Sequence, residues 1–145
     1  MSEFQLKGAI FDLDGVITAT ARSHFRAWKA TFEGFLRESG TEENPTFTYE
    51  DDYIPYVDGK PRYDGVKAFL ESRGVSLPWG DPSDEPGNGT VCAVGNRKNG
   101  AFRKTVEEDG VDLYETTLSL VKELIARGVR VGVASSSKNT GFVLK

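Results

Sequence analysis

The chain begins with a short apolar stretch, Lys7 to Phe11, in which polar and apolar residues do not alternate. A run of this kind predicts a strand buried on both faces, hence a parallel sheet covered by helices. It stops in Asp12 and Asp14, followed by Gly15. The next apolar residues, Phe25, Trp28, Phe32, Phe35 and Leu36, recur at helical spacing on one face. They predict a long helix capped by Thr20 or Ser23, running to about Ser39 and ended by Gly40. A second helix is expected from Thr48, with Glu50, Asp51 and Asp52 in its first turn, ending near Asp58-Gly59. Pro61 suits the first turn of a third helix, which carries Val66, Phe69 and Leu70 and closes at Gly74. Residues 75–89 read as a loop, because three of the six prolines in the chain fall there. Helix resumes at about Thr90 and reaches Glu108, with a break expected at Gly95 or Gly100. Thr116 or Thr117 opens another helix with Leu118, Val121, Leu124 and Ile125 on its apolar side and Gly128 as its stop. Val129 to Ala134 then predicts a second strand, ending in Ser135-Ser136-Ser137.

One strand, about 90 nearly all-helical residues and a second strand exceed what a parallel crossover needs, about a dozen residues. The excess reads as an insertion. The expected fold class is α/β, a parallel-sheet core formed by residues 1–18 and 110–145. Residues 19–109 form an inserted all-helical cap over the end of the first strand.

Composition narrows the picture only moderately. With 145 residues, 38% hydrophobic and 28% charged, the sequence suits a globular protein. A net charge of −4 gives no support to a nucleic-acid or membrane-surface partner. The single cysteine, Cys92, excludes an internal disulfide and reads as a small buried residue on a helix. No apolar run approaches the ~20 residues of a membrane span. Met1 to Leu6 lack the features of a signal peptide, so a cytoplasmic location is the expectation.

The candidate chemistry lies at the strand ends. Open parallel sheets place ligands outside the carboxyl ends of their strands, where Asp12 and Asp14 fall; residues i and i+2 of a strand face one side. Asp is also a common turn residue, which is the bland alternative. A carboxylate there can attack phosphorus, and a second can exchange protons with the acceptor and leaving oxygens. Two carboxylates beside phosphate oxygens require a cation, and magnesium suits such oxygen ligands. The serines ending the second strand offer hydroxyl and N–H donors to phosphate, although surface turns also produce such runs.

FDLDGVIT (Phe11 to Thr18) resembles the first motif of the haloacid dehalogenase superfamily of phosphoryl-transfer enzymes. ARSHFRAWK and VASSSKN are similar to the β-phosphoglucomutase branch. The resemblance implies an incomplete Rossmann-like core with a helical cap, magnesium as cofactor and a sugar phosphate as substrate. It makes Asp12 the nucleophile and Asp14 the acid/base, with the Asp12 side chain and the Asp14 carbonyl as metal ligands. Ser135, with Ser136 beside it, would hold the transferring phosphate, and Ser137, Lys138 and Asn139 would contact the other phosphate of a bisphosphorylated sugar. Thr20 and His24 match hinge residues of the mutases. Gly59-Lys60-Pro61-Arg62 is similar to their substrate-specificity loop, whose arginine grips the distal phosphate, and Lys98 falls at a substrate-facing position. A packed or exposed histidine and solvated basic turns are the plainer readings of these residues.

Two departures stand out. The mutases carry Asp just before the hinge threonine, where this chain has Ala19. The superfamily also needs a lysine and later acids beyond its second motif, and the sequence ends at Lys145. Each such group contributes about 3–4 kcal/mol of transition-state stabilisation by analogy. The 145 residues are therefore expected to be the N-terminal portion of a longer protein, fused to or followed by further domains, and inactive alone. The function expected is magnesium-dependent phosphoryl transfer converting β-glucose 1-phosphate to glucose 6-phosphate. A sugar-phosphate phosphatase is one alternative. A non-catalytic sugar-phosphate-binding part of a larger fused carbohydrate enzyme is another.

Overall fold

The computed structural model describes residues 5–145, so the leader reading at Met1 to Leu6 lies largely outside the described residues. The chain forms two compact units, residues 23–108 and residues 1–22 with 109–145.

The sheet unit contains β1 (Gly8–Asp12), α5 (Glu115–Ala126), β2 (Arg130–Ala134) and a short α6 (Thr140–Val143). The two strands are parallel, with Gly8 opposite Arg130 and Asp12 opposite Ala134. Parallel pairing follows from the crossover between them, and it brings both carboxyl ends to the same edge. Strand β1 corrects one expectation: its exposure alternates, and Ile10 is 79% exposed. The physical reason is that, among the described residues, no helix or strand covers the face that carries Ile10. An apolar run in sequence reports the surroundings a strand is suited to, not the neighbours it has.

The helical unit holds most of α1 (Ala21–Glu38), a π-turn (Tyr49–Tyr53) running into α2 (Ile54–Tyr56), α3 (Arg62–Ser72) and α4 (Val91–Asp109). Its core is aromatic. Phe32 lies 4.1 Å from Phe69 and 5.2 Å from Phe47 between ring centroids, and Trp28 stacks on Phe32 at 5.0 Å. All are buried, along with Phe35 and Leu36 from the same face of α1. Burying each such side chain stabilises by roughly 1.5–3 kcal/mol, so the stripe on α1 is the main anchor of the unit. Cys92 is buried on α4. Thr48 caps the π-turn, its hydroxyl accepting the Asp51 N–H at 3.2 Å.

Residues 75–89 form no helix or strand. The segment packs Val75 and Leu77 on the aromatic core and then wraps the start of α4. The N–H groups of Val91 and Cys92, which have no partner inside their own helix, donate to the carbonyls of Pro78 and Trp79. Helix α4 itself is continuous, which corrects the expected break at Gly95 or Gly100. Gly95 serves close packing: a Cβ there would lie 2.7 Å from the Tyr63 ring. No described helix is long and apolar enough to cross a membrane.

Candidate active site

In the sheet unit, β1 delivers Asp12 to the strand end, where its Oδ1 accepts the Leu13 N–H at 2.8 Å. The chain then turns. The N–H groups of Val16, Ile17 and Thr18 all converge on the Leu13 carbonyl, and Gly15 takes φ +81°. A side chain would be strained at that angle. Thr18 pairs with Leu113, and the Ala19 N–H donates to the Asp112 carbonyl at 2.8 Å. These bonds tie the turn to the segment that leads into α5.

Within this frame the Thr20 hydroxyl donates to Asp14 Oδ1 at 2.5 Å. Thr20 stands immediately before α1, which begins at Ala21, whereas Ser23, the other expected cap, lies inside the helix. The Ser135 hydroxyl donates to the other oxygen, Asp14 Oδ2, at 3.4 Å. Ser135 Oγ in turn accepts the Ser137 N–H at 3.0 Å, and Ser137 Oγ accepts the Asn139 N–H at 3.2 Å. Asn139 is buried, whereas Ser136 and Lys138 are exposed. The two strand ends therefore meet through side chains, with Asp14 held by one hydroxyl from each.

The helical unit carries the remaining sequence-derived candidates, in two separate pairs. Lys98, only 4% exposed, hydrogen-bonds His24 Nδ1 at 2.8 Å, and its ammonium lies 4.9 Å from the Trp28 ring and 5.0 Å from that of Phe102. His24 stacks on Phe102 at 4.1 Å. A lysine ammonium can only donate, so a charged Lys98 pairs with His24 through Nδ1 as the acceptor. Arg62 donates from Nη2 to Asn99 Oδ1 at 2.9 Å. Gly59, at φ +70°, turns the chain between α2 and the start of α3.

Sequence reasoning missed Asn99 and Gly95. The run Asn96-Arg97-Lys98-Asn99 singled out Lys98 alone, although each of the four residues has a side-chain partner elsewhere in the unit. Asn96 accepts the Tyr63 hydroxyl at 3.0 Å and Arg97 binds Glu38 at 2.7 Å. The i, i+4 spacing of Gly95 and Asn99 on one helix face was the signal available.

As for a cation, Asp12 is an exposed carboxylate beside a backbone turn, a hard oxygen donor of the kind magnesium takes. No group of three or more acidic, histidine or cysteine side chains is assembled among the described residues. Magnesium accepts one or two carboxylates with waters and phosphate oxygens, so the donor set fits it. A cavity of about 790 Å³ lies at the opposite strand ends, lined by Leu6, Lys7, Leu124, Val129 and Arg130. It adjoins none of the candidate residues.

A family description of haloacid dehalogenase-like hydrolases matches residues 6–142. A β-phosphoglucomutase of Mycobacterium bovis is 41% identical over 143 residues, covering 97% of this chain and 55% of that protein. An uncharacterized glycosyl hydrolase of Mycobacterium tuberculosis is 34% identical over 137 residues, covering 93% of this chain and 10% of the hydrolase. Among solved structures, an archaeal β-phosphoglucomutase from a Pyrococcus species matches with a TM-score of 0.68 at 25% identity. That match covers 95% of this chain and 56% of the archaeal one. The chain thus spans about half the length of the mutases it resembles.

Proposed function

Because the chain belongs to the haloacid dehalogenase-like hydrolases, we propose that the whole protein transfers phosphoryl groups through an aspartyl-phosphate, as a β-phosphoglucomutase. The observation that carries this reading is the Thr20–Asp14–Ser135 arrangement at the edge where Asp12 ends β1. Similarity to the mycobacterial mutase supports the choice of sugar phosphate.

In this mechanism the Asp12 carboxylate oxygen bonds to phosphorus of a glucose bisphosphate while the bond from phosphorus to the sugar oxygen breaks. Asp14 gives its proton to the departing oxygen. Glucose 6-phosphate departs and β-glucose 1-phosphate takes its place, and Asp14 takes the proton of the attacking 6-hydroxyl. That oxygen bonds to phosphorus as the bond from Asp12 breaks, and the bisphosphate so formed re-binds by its other end to give its 1-phosphate to Asp12 in the next turn. Ser135 and the neighbouring Ser136 donate to the transferring phosphate, and Ser137, Lys138 and Asn139 to the distal one. Magnesium, held by the Asp12 carboxylate and the Asp14 carbonyl, would offset the negative charge gathered there. Residues 1–18 and 110–145 form the catalytic core in this reading and residues 19–109 the cap. There Arg62 grips the distal phosphate beside Gly59 and Lys98 faces the substrate, while Thr20 and His24 act at the hinge and position the acid. A cytoplasmic location belongs to the same reading.

The test follows β-glucose 1-phosphate, primed with glucose 1,6-bisphosphate and magnesium, using the protein at its natural length. Glucose 6-phosphate should form much faster than inorganic phosphate. Arg62→Ala should lower isomerisation about hundredfold, the loss expected for one charged grip, and spare phosphate release. Phosphate release without isomerisation would make the protein a phosphatase. A second reading, a sugar-phosphate-binding part of a fused carbohydrate enzyme, is favoured by the glycosyl hydrolase of which this chain matches one tenth. Binding of the sugar phosphate with neither product would select it.

A further inference from the structure

Arg62 does not reach outward from the start of α3 unaided. Its stem lies against Gly95 of α4, where a Cβ would come within 3.3 Å of the Arg62 Cδ. Its head donates from Nη2 to Asn99 Oδ1 at 2.9 Å. Gly95 and Asn99 are one helical turn apart and share a face of α4. The neighbouring Tyr63 is pinned to the same helix, its ring over Gly95 and its hydroxyl donating to Asn96. Stem and head of the arginine are therefore laid along one rigid element.

We propose that Asn99, with Gly95 a turn before it, positions the Arg62 guanidinium for the distal phosphate of the bisphosphorylated sugar. The inference rests on the reading of Arg62 given above. The chemistry of the partner explains why an amide occupies this place. Guanidinium carries five N–H donors in a planar fork, and Asn99 takes one of them at Nη2. An amide oxygen orients the fork without cancelling its charge, whereas a carboxylate there would compete with the phosphate. Fixing the arginine before substrate arrives removes an ordering cost from binding. The effect belongs to KM rather than to the chemical step.

Asn99→Leu keeps the volume and removes the acceptor. In the protein at its natural length it should raise KM for β-glucose 1-phosphate about tenfold, the loss of roughly one hydrogen bond to a charged group. The kcat should stay within about twofold and the melting temperature near that of the wild type. A residue that acts through another contributes nothing once the other is gone. In an Arg62→Ala background, Asn99→Leu should therefore change kcat/KM less than about twofold. An equal tenfold loss in both backgrounds, or no loss in either, overturns the inference while leaving the function of Arg62 intact. Should Arg62→Ala itself leave isomerisation unchanged, the phosphate-gripping role of Arg62 falls, and this inference with it.

Discussion

Lys98 Nζ and His24 Nδ1 stand 2.8 Å apart, joining α4 to the first turn of α1 across 74 residues of sequence. The ammonium is almost fully buried, and two aromatic faces lie within cation–π range of it, those of Trp28 and Phe102. Removing the whole side chain loses both the stem packing and the donor to His24. Lys98→Ala should destabilise the protein by about 2–4 kcal/mol. Lys98→Met refills the volume between the rings and should cost about half as much. Urea titration of the two variants checks this; equal costs would mean that packing of the stem contributes nothing.

Arg73, at the end of α3, binds Asp52 at 2.8 Å, Glu42 at 2.6 Å and the Thr46 carbonyl at 3.0 Å. Burial works against its charge, but the hydrogen bonds to Asp52 and Glu42 outweigh it and raise its pKa. Asp52 is buried. Arg73→Met leaves that carboxylate without its cation, a change expected to cost about 3 kcal/mol. Adding Asp52→Asn should recover part of the loss, and a denaturation series over the single and double variants measures it.

Glu38 gives the pH dependence a sign. Hydrogen bonds from Arg97 and Asn88 hold its carboxyl at about 2, below its ordinary 4.5. A carboxyl lowered on folding contributes stability above its unfolded pKa and loses it as pH falls from about 4.5 through about 2. The Glu38 side chain is half exposed, so screening limits the contribution to about 1 kcal/mol or less. Between pH 5 and 3, wild type should therefore lose slightly more stability than Glu38→Gln. Parallel curves would contradict the assignment.

Two glycines of α4 should respond with opposite signs. At Gly100 nothing lies within 4 Å of an added Cβ, so Gly100→Ala should stabilise by about 0.5–1 kcal/mol through helix propensity. At Gly95 the same gain meets the Tyr63 ring, and overpacking of about 1–3 kcal/mol outweighs it. Thermal melts of the two variants should move in opposite directions.

These glycines also mark how far the sequence could be read. The stripe Phe25, Trp28, Phe32, Phe35 and Leu36 announced α1, because its period is local and its partners are generic apolar surface. Gly40, Gly74 and Gly128 announced helix ends, and each takes positive φ. Gly95 has the same local signature as a breaker, yet its reason is a ring on another helix, which no neighbouring residue reveals. The Arg73–Asp52 pair spans 21 residues of sequence and gave no signal at all. At the strand ends, the acids and serines were visible as motifs. The hydroxyl of Thr20 turning to Asp14 was not, since Thr before a helix reads equally well as a cap.

The covalent bond proposed from Asp12 to phosphorus is tested most directly by trapping it. The protein at its natural length is quenched in acid after brief exposure to glucose 1,6-bisphosphate and magnesium, and the labelled peptide is sequenced by mass spectrometry. Wild type should carry one phosphoryl group on Asp12, while Asp12→Asn should carry none and lose more than about a thousandfold in turnover. An Asp12→Asn variant that turns over undiminished would contradict the account.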